Sequence, residues 1–293
     1  MNMALLGTGL LGQAVAERLH TTGHVLSAYN RSSEKTVSLG QRGIRITLTA
    51  EEALFAADVV LLLLSDASAI RAVLFDEATG RAIAGRMIIQ MGTIGPSDSR
   101  SIQQAIERLG GRYIEAPVLG SIAEAKAGAL LIMVGATPEC FAECEPVLRC
   151  LGSDVRLIGP VGKAALLKLA LNQLIAAEMA AFALSLGLVR REEIDVETFM
   201  AVLRKSTLYA SMFDKKLPRL LERNYEQPNF PTHHLLKDVE LILNAVEEAH
   251  LPTCGLQELR SLLQDTIAQG LGPADYSAIY ERIDPVEVEG HRP

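Results

Sequence analysis

Two short spacings in this sequence could do chemistry. The first is Gly7-Thr8-Gly9-Leu10-Leu11-Gly12, preceded by the apolar residues 3–6 and followed by Val15, Ala16 and Leu19 at helical spacing. Glycines in this pattern between a strand and a helix suit a dinucleotide. The first permits a tight turn, the second lets the backbone approach a pyrophosphate, and the third lets helix and strand pack closely. The helix N-terminus adds free N–H groups and partial positive charge. The second spacing is Lys168-x-x-x-Asn172, inside "GPVGKAALLKLALNQ". Residues four apart share a helix face, and a lysine among Leu, Ile and Ala is costly to bury without a purpose. Burial disfavours the ammonium and moves such a lysine toward general acid–base chemistry, with Asn172 holding the ammonium or a reacting oxygen. On spacing alone, a lysine whose stem covers apolar surface at a subunit interface explains the pattern equally well.

The end of the second strand decides the cofactor. An acidic residue there would accept from the ribose 2′-OH of NAD; the sequence has Asn30, followed by Arg31, Ser32 and Ser33. An arginine beside two hydroxyl donors suits a 2′-phosphate, so NADP(H) is expected in preference to NAD(H).

These residues need elements to hold them. Strand candidates are "HVLSAYN", "IRIT", "ADVVLLLLS", "RMIIQMGT", "GRYIEAPV", "ALLIMVGA" and "DVRLIG", mostly separated by helical segments. "ADVVLLLLS" is a continuous apolar run, as in a parallel strand buried on both faces. Alternating β and α over residues 1–160 predicts a Rossmann-type α/β domain, a doubly wound sheet. After Gly159-Pro160 the texture changes. Residues 161–189 are apolar nearly all round and read as one long helix of about 40 Å. "DVETFMAVLRKS", "HHLLKDVELILNAVEEAH", "GLQELRSLLQDTIAQG" and "YSAIYERI" follow as helices, so residues 161–293 are expected to form an all-helical domain joined through the long helix, whose apolar girth suits a core or a subunit interface.

Composition narrows the function classes. The chain of 293 residues is 49% hydrophobic and 22% charged, as folded domains are. A formal charge of −7 argues against nucleic acid as a partner. Glu178 interrupts the longest apolar run, which argues against a membrane span. No basic leader or cleavage site opens the chain, and a cytoplasmic location is expected. Cys140, Cys144, Cys150 and Cys254 are too few and too unevenly spread for a disulfide framework. Cys140 and Cys144 would share a helix face but have no histidine near them in sequence, so no metal site is expected.

Eight segments, "GTGLLG", "NRSSEK", "LLSDASA", "MGTIGP", "EAPVLGS", "GPVGKAALLKLALN", "FPTHHLLKD" and "LGPADYSAI", occur in the order found in the β-hydroxyacid dehydrogenases. Over essentially its whole length the chain resembles that family, which includes 3-hydroxyisobutyrate dehydrogenase, and within it the glyoxylate/succinic semialdehyde reductases. The resemblance implies that Lys168 is the catalytic lysine and Asn172 its partner. It puts Leu64, Ser65 and Thr93 beside the cofactor, Gly120 and Ser121 in a loop cradling the substrate carboxylate, and Phe230 in the substrate pocket. Lys237 and Asp238 match a pair near cofactor and substrate. It also implies pairing of subunits through the helical domain, as a homodimer or homotetramer. One departure concerns the substrate. Where the family's loop reads A-P-V-S-G, this chain has Leu119, so one hydroxyl donor is missing.

The expected reaction is hydride transfer from NADPH to a small aldehyde carboxylate, glyoxylate to glycolate or succinic semialdehyde to 4-hydroxybutyrate, with Lys168 as proton donor. Alternatives are 3-hydroxyisobutyrate or tartronate semialdehyde chemistry on the same architecture and, in another class, a catalytically silent cofactor-binding protein.

Overall fold

The computed structural model describes residues 1–286, so the last seven positions of the expected 161–293 domain lie outside the described residues. Contacts divide the chain into two compact units, Met1–Leu169 and the residues from Ala170 onward.

The first unit is built on nine strands: β1 (Asn2–Leu6), β2 (Val25–Tyr29), β3 (Arg45–Ile46), β4 (Val59–Leu62), β5 (Met87–Gln90), β6 (Arg112–Glu115), β7 (Val118–Leu119), β8 (Leu130–Gly135) and β9 (Gly152–Gly159). The order β3-β2-β1-β4-β5-β6 is parallel throughout, the arrangement of a doubly wound dinucleotide-binding sheet. Successive side chains take opposite faces. Leu5, Leu61 and Ile89 therefore enter one core with Val15 and Leu19 of the helix Leu10–Thr21. Leu6, Leu62 and Ile88 enter a second core with Ile102 and Ile106 of the helix Pro96–Arg108.

The sheet departs from the sequence reading at one point. "GRYIEAPV" is two strands, because Pro117 cannot donate to a ladder. β6 ends at Glu115, and β7 turns to pair antiparallel with β8, which in turn pairs parallel with β9.

The long helix runs Lys163–Arg191, and the division between the units falls inside it. By length and composition it could cross a membrane. Along it, however, lie Lys168, Asn172 and Glu178, and one side is buried through Ala176, Met179, Phe182, Ala183 and Leu186. The second unit adds helices Val196–Lys205, Ser211–Glu222, Thr232–Glu248 and Leu256–Thr266, then two short turns over residues 276–283. The ring of Phe182 stacks on Phe213 at 4.5 Å between centroids. Helix Ser211–Glu222 is absent from the sequence reading because Pro218 interrupts its pattern.

Candidate active site

In the first unit, the C-terminal ends of β1, β2, β4 and β5 carry the expected cofactor residues other than Lys237, which lies on the helix Thr232–Glu248 of the second unit. Gly7 has φ +101°, and a Cβ there would stand 2.4 Å from the carbonyl oxygen of Leu63. A Cβ on Gly12 would stand 2.0 Å from the carbonyl oxygen of Gly7. Both positions therefore demand glycine for reasons internal to the fold. Gly9 differs: nothing lies within 4 Å of where its Cβ would be, so the backbone there is open to a close-packed ligand. Gly9 also caps the helix Leu10–Thr21 without a side chain, and the first turn carries no acidic residue. Its N–H groups can receive phosphate oxygens. These features fit a pyrophosphate.

Asn30 holds this loop in shape. Its Oδ1 accepts from the Thr8 N–H at 3.0 Å, and its Nδ2 donates to the Ser32 carbonyl at 3.0 Å. Thr8 is fully buried, and its hydroxyl donates to the Lys35 carbonyl. Asn30 and Thr8 thus link the glycine loop to the Arg31–Ser32 turn, and Arg31 itself is exposed at that turn. Leu10 is exposed at the helix start, whereas Leu11 packs against the core. At the next strand end, the Ser65 hydroxyl donates to Asp66, which caps the following helix by accepting from the Ala69 N–H at 2.8 Å. Leu64 and Thr93 are half-buried, and a Cβ on Gly92 would stand 2.7 Å from the Leu64 carbonyl oxygen, so the two strand ends lie close.

The loop after β7 carries Leu119, Gly120 and Ser121. Gly120 has φ +127°, and a Cβ there would meet Leu130 at 2.7 Å. Ser121 opens the short helix Ile122–Ala127, and both of its donors go to one oxygen: the Glu124 carboxylate accepts from the Ser121 N–H at 2.8 Å and from its hydroxyl at 2.5 Å. This cap occupies the Ser121 donors of the loop that the resemblance assigns to a substrate carboxylate.

Lys168 and Asn172 occur one turn apart on the long helix and are buried, 9% and 2% exposed. In the second unit, the Asn172 amide donates to Asp238 Oδ2 at 2.6 Å, while Lys237 Nζ lies 2.9 Å from Asp238 Oδ1. Asp238 is itself buried. Asn172 Oδ1 is buried without a hydrogen-bond partner among the described residues, an acceptor left for an added donor. Phe230 sits edge-on to Tyr276 at 5.7 Å. The Tyr276 ring lies under Lys216, which is paired with fully buried Asp275 at 2.7 Å. Burial holds the Lys216 ammonium below its ordinary pKa, against the pull of Asp275. His233 contacts the Gly272 carbonyl oxygen through Nδ1 at 2.6 Å.

One buried acid at this level of the sheet heads the segment "EAPVLGS", but no spacing around it marks a role. Glu115 is 1% exposed and accepts from three N–H groups at the start of the long helix. Burial pushes its carboxyl pKa up, while the Ser99 hydroxyl and those N–H groups pull it down; the net direction is upward.

The model of the NAD binding domain of 6-phosphogluconate dehydrogenase matches residues 2–159, and that described as NAD-binding of NADP-dependent 3-hydroxyisobutyrate dehydrogenase matches residues 162–283. Glyoxylate/succinic semialdehyde reductase 1 of Arabidopsis thaliana is 28% identical over 97% of this chain and 98% of its own length. The cytokine-like nuclear factor N-PAC of Drosophila melanogaster is 25% identical over 94% of this chain, which spans 46% of that longer protein. A crystal structure of 3-hydroxyisobutyrate dehydrogenase from Salmonella typhimurium superposes with a TM-score of 0.87 at 21% identity, over 96% of this chain and 99% of that one.

Proposed function

The chain belongs to the β-hydroxyacid dehydrogenases, a family of NAD(P)-dependent oxidoreductases, and on that premise we propose that it is an NADPH-dependent reductase of small aldehyde carboxylates. The observation that carries the proposal is the buried turn Lys168–Asn172, in a chain whose glycine loop is shaped for a pyrophosphate. When bound, the nicotinamide supplies hydride to the carbonyl carbon. Lys168 gives a proton to the carbonyl oxygen, and its hydrogen bond strengthens as negative charge develops there. Asn172, held by Asp238 through its amide nitrogen, keeps Oδ1 as an acceptor for a donor that a ligand brings. Arg31 and Ser32 recognise the 2′-phosphate. Glyoxylate and succinic semialdehyde lead the substrate range by likeness to the plant reductase.

Glu124 tunes that range. A substrate carboxylate at Ser121 competes with a carboxylate already there, so Glu124→Ala is expected to lower KM for glyoxylate about fivefold with kcat unchanged, as for one regained hydrogen bond. A second reading, oxidation of 3-hydroxyisobutyrate, is favoured by the description of the second family model. Initial rates followed by cofactor absorbance, with NADPH or NADH and each aldehyde, and with NADP+ or NAD+ and 3-hydroxyisobutyrate, separate the two. The proposal expects NADPH-linked turnover of glyoxylate or succinic semialdehyde; turnover confined to 3-hydroxyisobutyrate selects the second reading.

We also propose a cytoplasmic homo-oligomer. All four cysteines are free thiols. Along the long helix Leu166, Leu174, Leu184 and Leu188 are 44–63% exposed at helical spacing. An apolar stripe of this kind suits a second copy of the chain. Leu174→Glu with Leu184→Glu is expected to yield monomers by sedimentation.

A further inference from the structure

Glu115 closes β6, nearly sealed from solvent, where a carboxylate is costly unless its oxygens are fully used. They are used. Oε1 accepts from the N–H groups of Gly162, Ala164 and Ala165 at 2.7, 2.9 and 3.1 Å. Oε2 accepts from the Ser99 hydroxyl at 2.5 Å, and Ser99 Oγ lies 2.9 Å from the Tyr113 hydroxyl. The three N–H groups belong to the first turn of the long helix, whose donors have no partner within the helix and whose partial positive charge favours an anion. The sheet makes room for this contact. Gly135 of β8 pairs with Glu115, and a Cβ on it would stand 2.3 Å from Oε1.

We propose that Glu115 is the positioning residue for Lys168: it bolts the first turn of the long helix to the end of β6, and so sets the height and rotation at which the lysine, three residues past the last bonded N–H, is presented. This inference rests on the general-acid reading of Lys168 given above. Displacement of a catalytic group by about 1 Å costs roughly a hundredfold in rate, so a loosened first turn acts on kcat.

The test is a cycle of Glu115→Ala and Lys168→Ala in the full chain, assayed with NADPH and glyoxylate or succinic semialdehyde, whichever turns over faster. Glu115→Ala is expected to lower kcat roughly ten- to a hundredfold, with the NADPH dissociation constant changed less than about twofold, because the glycine loop is untouched. Glu115→Gln keeps an oxygen for the three N–H groups and is expected to restore most of kcat. In the Lys168→Ala background, Glu115→Ala is expected to remove almost nothing more, the non-additivity of residues acting through one another. Without cofactor, amide exchange over residues 162–169 is expected to accelerate in Glu115→Ala and recover in Glu115→Gln. If the alanine variant is not recovered folded, Glu115→Asp carries the same cycle, since it withdraws the oxygens by one methylene. Equal losses in both backgrounds, or a variant that melts earlier but keeps full kcat, overturn the proposal. A Lys168→Ala enzyme with wild-type kcat instead overturns the general-acid reading, which the single variant reveals by itself.

Discussion

In the nucleotide-binding unit the polar groups offered to a ligand are mainly backbone N–H groups, laid open by glycines a few residues apart. In the helical unit the polar side chains are instead held by partners far along the chain: Asn172 on Asp238 across 66 positions, Lys216 on Asp275 across 59, and Arg191 on Asp284 across 93. The first design tolerates no added atom at Gly7 or Gly12 but needs no second partner, because the helix N-terminus is itself the binding group. The second tolerates changes of shape but not of pairing, since removing one member leaves a buried polar group unmatched. The contrast teaches where each unit is brittle.

The sharpest way to break the contrast is Gly12→Ala. Its Cβ would stand 2.0 Å from a backbone oxygen that cannot move away cheaply. NADPH affinity is expected to fall by roughly a hundredfold or more, while melting of the helical unit, followed by exchange of its amides, stays as in wild type. Arg31→Ala comes next. On the proposed reading it removes a charged partner from the 2′-phosphate, and it is expected to weaken NADPH by roughly tenfold or more, with NADH affinity unchanged in the same fluorescence titration. Equal losses for both cofactors would show that Arg31 serves the loop rather than the phosphate.

Asp284→Asn probes the other unit with a smaller effect. Burial pushes the Asp284 carboxyl up, but Arg191, Tyr280 and Arg223 outweigh it and hold the pKa below the ordinary value. A carboxyl depressed in the folded state contributes stability above its unfolded pKa of about 3.9 and loses it as pH falls through the folded value. Arg191 is 54% exposed, so solvent screens the pair. The substitution is expected to cost about 1 kcal/mol at pH 7, with the difference vanishing in acid, as read by thermal melts across pH. NADPH affinity should not change.

The same contrast explains what could be read from the sequence. The glycine loop, the parallel strands and the Lys168–Asn172 turn are local patterns with fixed periods, so spacing reveals them. Asp238 enters through family likeness, but its bond to Asn172 depends on where the helix Thr232–Glu248 lies. Glu115 is legible only as the head of the segment "EAPVLGS", because an acid at the end of a strand acquires its role only when residues 47 to 50 positions later return to it. Glu124 is different: Ser121-x-x-Glu124 is a legible capping box, and its meaning for the substrate loop emerges once both donors of Ser121 are seen to be taken. The break at Pro117 follows from its missing N–H, yet the return of β7 onto β8 is set by long-range pairing.

The measurement that tests the central claim most directly is a paired titration and rate assay of wild type and Lys168→Ala with NADPH and the preferred aldehyde. A general acid contributes a factor of about 10² to 10⁴. The variant is therefore expected to bind NADPH as wild type does and to turn over roughly a thousandfold more slowly. Turnover that survives the substitution with cofactor affinity intact would contradict the assignment of Lys168.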